Sequence, residues 1–170
     1  VPVRQVPADA LERESRRGVH QGVVAEIEKA AGYSIDEIVR GASGPPLLVV
    51  VDGVEDPHNL GAILRTADAA GADGVIVQSR RSAALDGVAA KASAGAVAHV
   101  KIAEVVNIAR AVEELKEAGV WTIGLAGEGA DAYDAIDYTL PTAVVVGAEG
   151  AGIRRLVRDC LLYTSDAADD

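Results

Sequence analysis

A chain of 170 residues that is 49% apolar is long enough for one domain with a substantial core. Its formal charge of -10, from 26 acidic against 16 basic side chains, excludes a nucleic-acid coat that relies on a uniformly basic surface, so any RNA contact must be local. The single cysteine excludes an internal disulfide framework and a Cys-based metal site, and no apolar stretch approaches the roughly 18 to 20 residues that span a bilayer.

The N-terminus lacks the basic start and apolar run of a signal peptide, and a cytoplasmic location is the simplest expectation. With no Phe or Met, one Trp and four Tyr against 18 Gly, packing must rest on close backbone approach, which suits helices layered on a sheet. The local basic clusters are Arg13, Arg16 and Arg17, then Arg80 and Arg81, then Arg154, Arg155 and Arg158. Most of these read as solvated charge. His20, His58 and His99 are too scattered to form a metal site and read as solvent or loop histidines.

In chain order, residues 1 to 44 form a polar lead-in with a short helical stretch near Ile35 to Val39, and Gly44-Pro45-Pro46 marks a boundary. Leu47 to Val51 is an unbroken apolar run of the kind that forms a strand buried on both faces. Leu60, Ile63, Leu64 and Ala67 recur at helical spacing, and Gly71 stands where a left-handed C-cap belongs. Val75 to Val77 reads as a second strand, Ser82 as the cap of a helix through about Ala90, and Val97 to Val100 as a third strand. Ile108, Val112 and Leu115 define a helix closed by Gly119. Val120 to Leu125 and Ala143 to Val146 are further buried strands, and Ile153 to Val157 begins a last helix after a glycine-rich turn. The alternation predicts an α/β fold with a mostly parallel sheet flanked by helices. Leu161 to Asp170 is acidic, has neither period, and reads as foreign to the fold.

Open parallel sheets bind ligands beyond the carboxyl ends of their strands, so the loops after Val51, Leu125 and Val146 are the places for chemistry. In the first, Asp52 to Thr66, Asn59 can cap the following helix, Gly61 admits a close approach, and Arg65 offers a guanidinium suited to phosphate. The same two residues also read as a plain cap and a surface charge. The loop Gly147-Ala-Glu-Gly-Ala-Gly152 offers backbone N–H groups near a helix start and the carboxylate of Glu149. Its spacing is not the dinucleotide-binding Gly-x-Gly-x-x-Gly.

Taken together these loops resemble a known family. Asp56 to Thr66 (DPHNLGAILRT) is similar to the first motif of the SpoU-TrmH RNA ribose 2'-O-methyltransferases, and Val145 to Gly152 (VVGAEGAG) to the second. Lys91 to Ala96 and His20 to Ala25 resemble its intermediate segment and its interdomain lead-in, and the likeness runs from about residue 17 to 160. It is nearest the bacterial 23S rRNA guanosine 2'-O-methyltransferases. The resemblance implies a trefoil-knotted domain, usually a homodimer, that binds S-adenosylmethionine and methylates a ribose 2'-hydroxyl. By position it assigns Asn59, Arg65 and Glu149 to catalysis. Asn59, Arg65 and Arg154 fall to RNA binding, and Gly147, Gly150, Leu125 and Ala126 to the cofactor pocket, with no metal.

The family's third motif has no counterpart in Leu161 to Asp170. The expected organisation is therefore a lead-in over 1–44 from a missing RNA-binding domain, an incomplete methyltransferase domain over 45–160 with an incomplete knot, and a non-family tail over 161–170. Two other readings compete: a non-catalytic RNA-binding module of the same fold, and a nucleotide-binding α/β enzyme, disfavoured because no Lys-Ser/Thr pair follows the glycine turn.

Overall fold

The computed structural model describes residues 2–15, 20–24, 32–80, 85, 87–127, 131–132 and 136–166. Two units are separated by their contacts, Val1–Ala31 and Gly32–Asp170. The first carries helix α1 (Ala8–Glu14), which buries none of its residues. In the second, α2 (Ile35–Arg40) starts on a capping box in which Ser34 and Glu37 each satisfy the other's backbone N–H, and it sends Ile35 and Ile38 into the core. The domain thus begins earlier than the boundary read at Gly44-Pro45-Pro46, because two buried isoleucines tie α2 to the sheet.

Seven parallel strands form the sheet: β1 (Leu47–Asp52), β2 (Gly74–Gln78), β3 (Ile102–Val105), β4 (Trp121–Leu125), β5 (Asp131–Ala132), β6 (Thr142–Gly147) and β7 (Tyr163–Asp166). Their spatial order is β3-β2-β1-β6-β4-β7-β5, so the late strand β6 lies between β1 and β4. Alternate side chains supply two cores. Leu48, Val50, Ile76, Ala143 and Val145 pack with α2, α5 (Ile108–Glu117) and Val157 of α6 (Arg155–Arg158). Val51, Val75 and Val77 pack with Leu60, Leu64 and Ala67 of α3 (Pro57–Ala69) and Ala89 of α4 (Gly87–Ala92). Each fully buried Val, Leu or Ile among these contributes on the order of 1.5 to 3 kcal/mol. The α/β architecture and parallel sheet expected from the alternation are therefore observed.

Glycine ends both long helices. Gly71 (φ +72°) and Gly119 (φ +79°) follow α3 and α5, and the next N–H groups, of Ala72 and Val120, reach back to Ala67 and Leu115. Both turns are Schellman motifs, so the left-handed cap read at Gly71 is observed and Gly119 closes α5 in the same way.

Four details depart from the sequence reading. α3 starts earlier than Leu60, because Asp56 is its cap, accepting the His58 N–H at 2.9 Å, and Pro57 needs no donor partner in the first turn. Val97 to Val100 is not a strand. Ala94 and Gly95 turn the chain through φ +52° and +93°, the Ser93 hydroxyl accepts the Val97 N–H, and Ala96–Ala98 wind into a 3-10 turn. The third strand is instead Ile102–Val105, paired with β2. Finally, Tyr163–Asp166, read as foreign to the fold, lies in register beside β4 with Ile123 opposite Tyr163, and the Tyr163 ring stacks on Trp121 at 5.9 Å. The expected cap Ser82 lies outside the described residues, as do Arg16, Arg17, Arg81 and Ala25. Among the described residues no helix is long and apolar enough to cross a membrane.

Candidate active site

The topology sets where chemistry can sit. β1 and β6 are neighbours with Asp52 opposite Gly147, yet β1 leads into α3 on one face and β6 leads toward α6 on the other. The chain thus leaves the two strands in opposite directions, opening a crevice at their carboxyl ends. β4 ends at the same edge, Leu125 opposite Val146.

Three segments meet there. Asn59, half-buried in the first turn of α3, donates from Nδ2 to Oε2 of Glu149 at 3.2 Å, across 90 residues of sequence. Glu149 is exposed at the rim of the loop, and among the described residues its other oxygen accepts no side-chain donor. Asn59 is therefore not the helix cap; its amide is the link between the two loops.

The glycine loop is built differently from an anion cradle. Ala148 and Gly152 exchange N–H to C=O hydrogen bonds at 3.1 and 2.8 Å, and the Ala151 N–H donates to the Glu149 carbonyl. The Arg154 N–H is taken by Asp52. The backbone donors read from sequence as available to an anion are thus mostly used inside the protein, and α6 has only four residues. Gly147 is required by closure of this loop, since a Cβ there would run into the backbone of Gly152 and Ile153. Gly150 (φ +75°) turns its exposed tip. Gly61, read as admitting a ligand, admits α4 instead: a Cβ there would meet the Ala89 carbonyl at 2.8 Å and Ala92.

Leu125, Ala126 and Val146, all half-buried, line the ends of β4 and β6 beside this loop. Arg65 is exposed, and no hydrogen bond or ion pair holds it among the described residues. It stands six residues beyond Asn59, which at helical geometry is about 9 Å along the axis and roughly 120° around it. The structure brings Asn59 and Glu149 together and leaves Arg65 apart from them. Arg154, expected on the RNA side, has its guanidinium on Asp52, through Nε at 2.7 Å and through Nη2, and on Gln78 Oε1 at 2.8 Å. That Asp52 collects these bonds was not anticipated; a carboxylate ending an otherwise apolar strand run was the available signal.

Residues 46–163, more than half of the chain, match the model of the SpoU rRNA Methylase family. The chain belongs to this family. Among its SpoU relatives, a protein of Ralstonia nicotianae named 23S rRNA (guanosine-2'-O-)-methyltransferase RlmB is 47% identical over 163 residues, 92% of this chain and 64% of that protein. The putative TrmH family tRNA/rRNA methyltransferase YacO of Bacillus subtilis is 39% identical over 94% of this chain and 65% of its own. The chain thus spans a little under two thirds of these relatives. In three dimensions it resembles the SpoU methyltransferase AviRb of Streptomyces viridochromogenes in complex with AdoMet, with a TM-score of 0.71 and 27% identity over 81% of this chain and 53% of that one. The SpoU match takes in Tyr163, past the boundary read at residue 160.

Proposed function

We propose that this chain carries the catalytic domain of an RNA methyltransferase that moves a methyl group from S-adenosylmethionine to a ribose 2'-hydroxyl, that of a guanosine in 23S rRNA. The enzyme acts in the cytoplasm as a homodimer. The observation that carries this reading is the Asn59–Glu149 hydrogen bond. It joins two separately encoded SpoU segments into one polar site at the sheet edge. The names of the relatives support the substrate class.

The donor S-adenosylmethionine supplies an electrophilic methyl on a sulfonium. The half-buried lip of Leu125, Ala126 and Val146 suits the apolar face of an adenosyl group, with Gly147 and Gly150 bordering it. Transfer to an alcohol of high pKa requires the oxygen to be held in line and relieved of its proton. Asn59 and Glu149 hold the ribose edge by hydrogen bonds. Arg65, further along α3 and apart from this pair, clamps a neighbouring phosphate, a role that suits a guanidinium, which is too weakly acidic to act as a ready base. Arg154 has less to offer RNA, since its guanidinium already donates to Asp52 and Gln78.

The test is transfer of labelled methyl from S-adenosylmethionine to 23S rRNA, with the product mapped by resistance of one phosphodiester to alkali. Arg65→Ala, at an exposed position without partners among the described residues, should keep the fold and lower kcat about 100-fold or more. RNA binding without methyl incorporation by the parent chain would defeat the enzymatic reading and favour a non-catalytic RNA-binding module.

A further inference from the structure

Asp52 is the one acidic side chain among the described residues that is fully buried, and it sits at the end of β1, beside the central strand β6. Its Oδ2 accepts the Arg154 backbone N–H at 2.8 Å, and its Oδ1 accepts Arg154 Nε at 2.7 Å and Nη2. Arg154 Nη2 also donates to Gln78 at the end of β2. One carboxylate therefore fixes both the backbone and the guanidinium of Arg154, Oδ2 taking the backbone N–H and Oδ1 taking both guanidinium donors as charge-assisted hydrogen bonds. A buried carboxylate without its partner is strongly unfavourable, so the pair is held together wherever the fold is intact.

The position of this pair gives it a consequence for the site. The loop of residues 147–152 is closed on itself by the Ala148–Gly152 bridge and so moves as a unit. It continues from β6 on one side; on the other it runs into Ile153, buried in the core, and then into the Asp52–Arg154 pair, which is the polar anchor of that end. Asp52 is also seven residues before Asn59, and Gly53 (φ +74°) turns the chain away from it toward α3. The same carboxylate thus ends the segment that leads to Asn59 and anchors the segment that presents Glu149.

We propose that Asp52, acting through Arg154, is the positioning residue that holds Glu149 against Asn59. This deepens the methyltransferase reading, on which its relevance to catalysis rests. The effect itself is measurable without catalysis.

The experiment is heteronuclear NMR and amide exchange on the full chain, comparing the parent with Glu149→Ala, Arg154→Ala, Arg154→Lys and Asp52→Asn. Glu149→Ala gives the Asn59 side-chain amide signals for a broken Asn59–Glu149 bond. In Arg154→Ala these signals should move to that position, and the Ala148 and Gly152 amides should exchange about tenfold faster while α5 keeps its protection. Arg154→Lys, which retains the charge but not the paired Nε and Nη2 donors, should fall between. If Arg154→Ala, which leaves the buried Asp52 carboxylate without its guanidinium, fails to fold, Arg154→Lys and Asp52→Asn decide, since the first keeps a cation beside Asp52 and the second removes the buried charge. Asn59 signals unmoved in Arg154→Ala, or faster exchange spread evenly over α3 and α5, would overturn the proposal. Failure of the parent chain to transfer methyl would sink only the enzymatic reading and leave this one standing or falling on the spectra.

Discussion

Gly147→Ala tests how the glycine loop is built. The added Cβ would lie within 3.0 Å of the Gly152 carbonyl group and the Ile153 nitrogen, all backbone atoms that no rotamer change can move. Carbon atoms rest near 3.5 Å, so the loop must open by about 1 Å or more. Opening it costs the two hydrogen bonds between Ala148 and Gly152, at about 1 kcal/mol each, and forcing extra volume into packed backbone adds a further 1 to 3 kcal/mol. A destabilisation of about 3 to 5 kcal/mol follows, visible as a lower urea midpoint at unchanged slope. The open loop should also carry Glu149 away from Asn59, so S-adenosylmethionine binding by titration calorimetry should weaken at temperatures where the variant remains folded. A loss of stability below about 0.5 kcal/mol, in the range of ordinary surface changes, would refute the account of Gly147 as a closure residue.

Two further substitutions probe electrostatics. Asn59→Asp places a second carboxylate against Glu149, where their amide–carboxylate bond is 3.2 Å long. Like charges at that separation raise the pKa of one partner, so the loop should loosen at neutral pH and recover as pH falls through the raised value, read from Ala148 and Gly152 amide exchange. At α2, hydrogen bonds from the Ser34 backbone and hydroxyl hold the Glu37 carboxyl below the usual carboxylate range. The folded value is the lower one, so the cap's contribution is present above the ordinary carboxylate pKa and fades as pH falls through the folded value. Protection of the α2 amides should drop on acidification in the parent and show no such step in Glu37→Gln.

Much of the fold was legible because apolar runs and helical spacing report directly on burial. Leu47 to Val51, Val75 to Val77 and Ala143 to Val146 are strands covered on both faces, and Leu60 to Ala67 carries one apolar stripe. The failures have equally specific causes. β7 reads Tyr-Thr-Ser-Asp, without an apolar signal, and gains strand structure from pairing with β4. Valines at 97 and 100 suggested a strand, but Ser93 and the left-handed Ala94-Gly95 pair redirect the backbone. Pro57 moved the start of α3, and with it the role of Asn59 from cap to cross-link. Each glycine-rich or polar loop was locatable from the strand before it, whereas the Asn59–Glu149 and Asp52–Arg154 partnerships depend on β6 lying beside β1, which no local pattern encodes.

The placement of β6 between β1 and β4 also governs when the site can exist. Both polar links of the crevice close sequence gaps of 90 and 102 residues. During synthesis, β1 and β4 emerge with unpaired edges and must wait for residues 142 to 147 before the sheet is continuous. Such long-range parallel pairing is slow, and the open edges of the waiting strands are exposed to association with other chains. The crevice is therefore among the last parts of the domain to form, and a nascent chain has no site to occupy until its central strand slots into place.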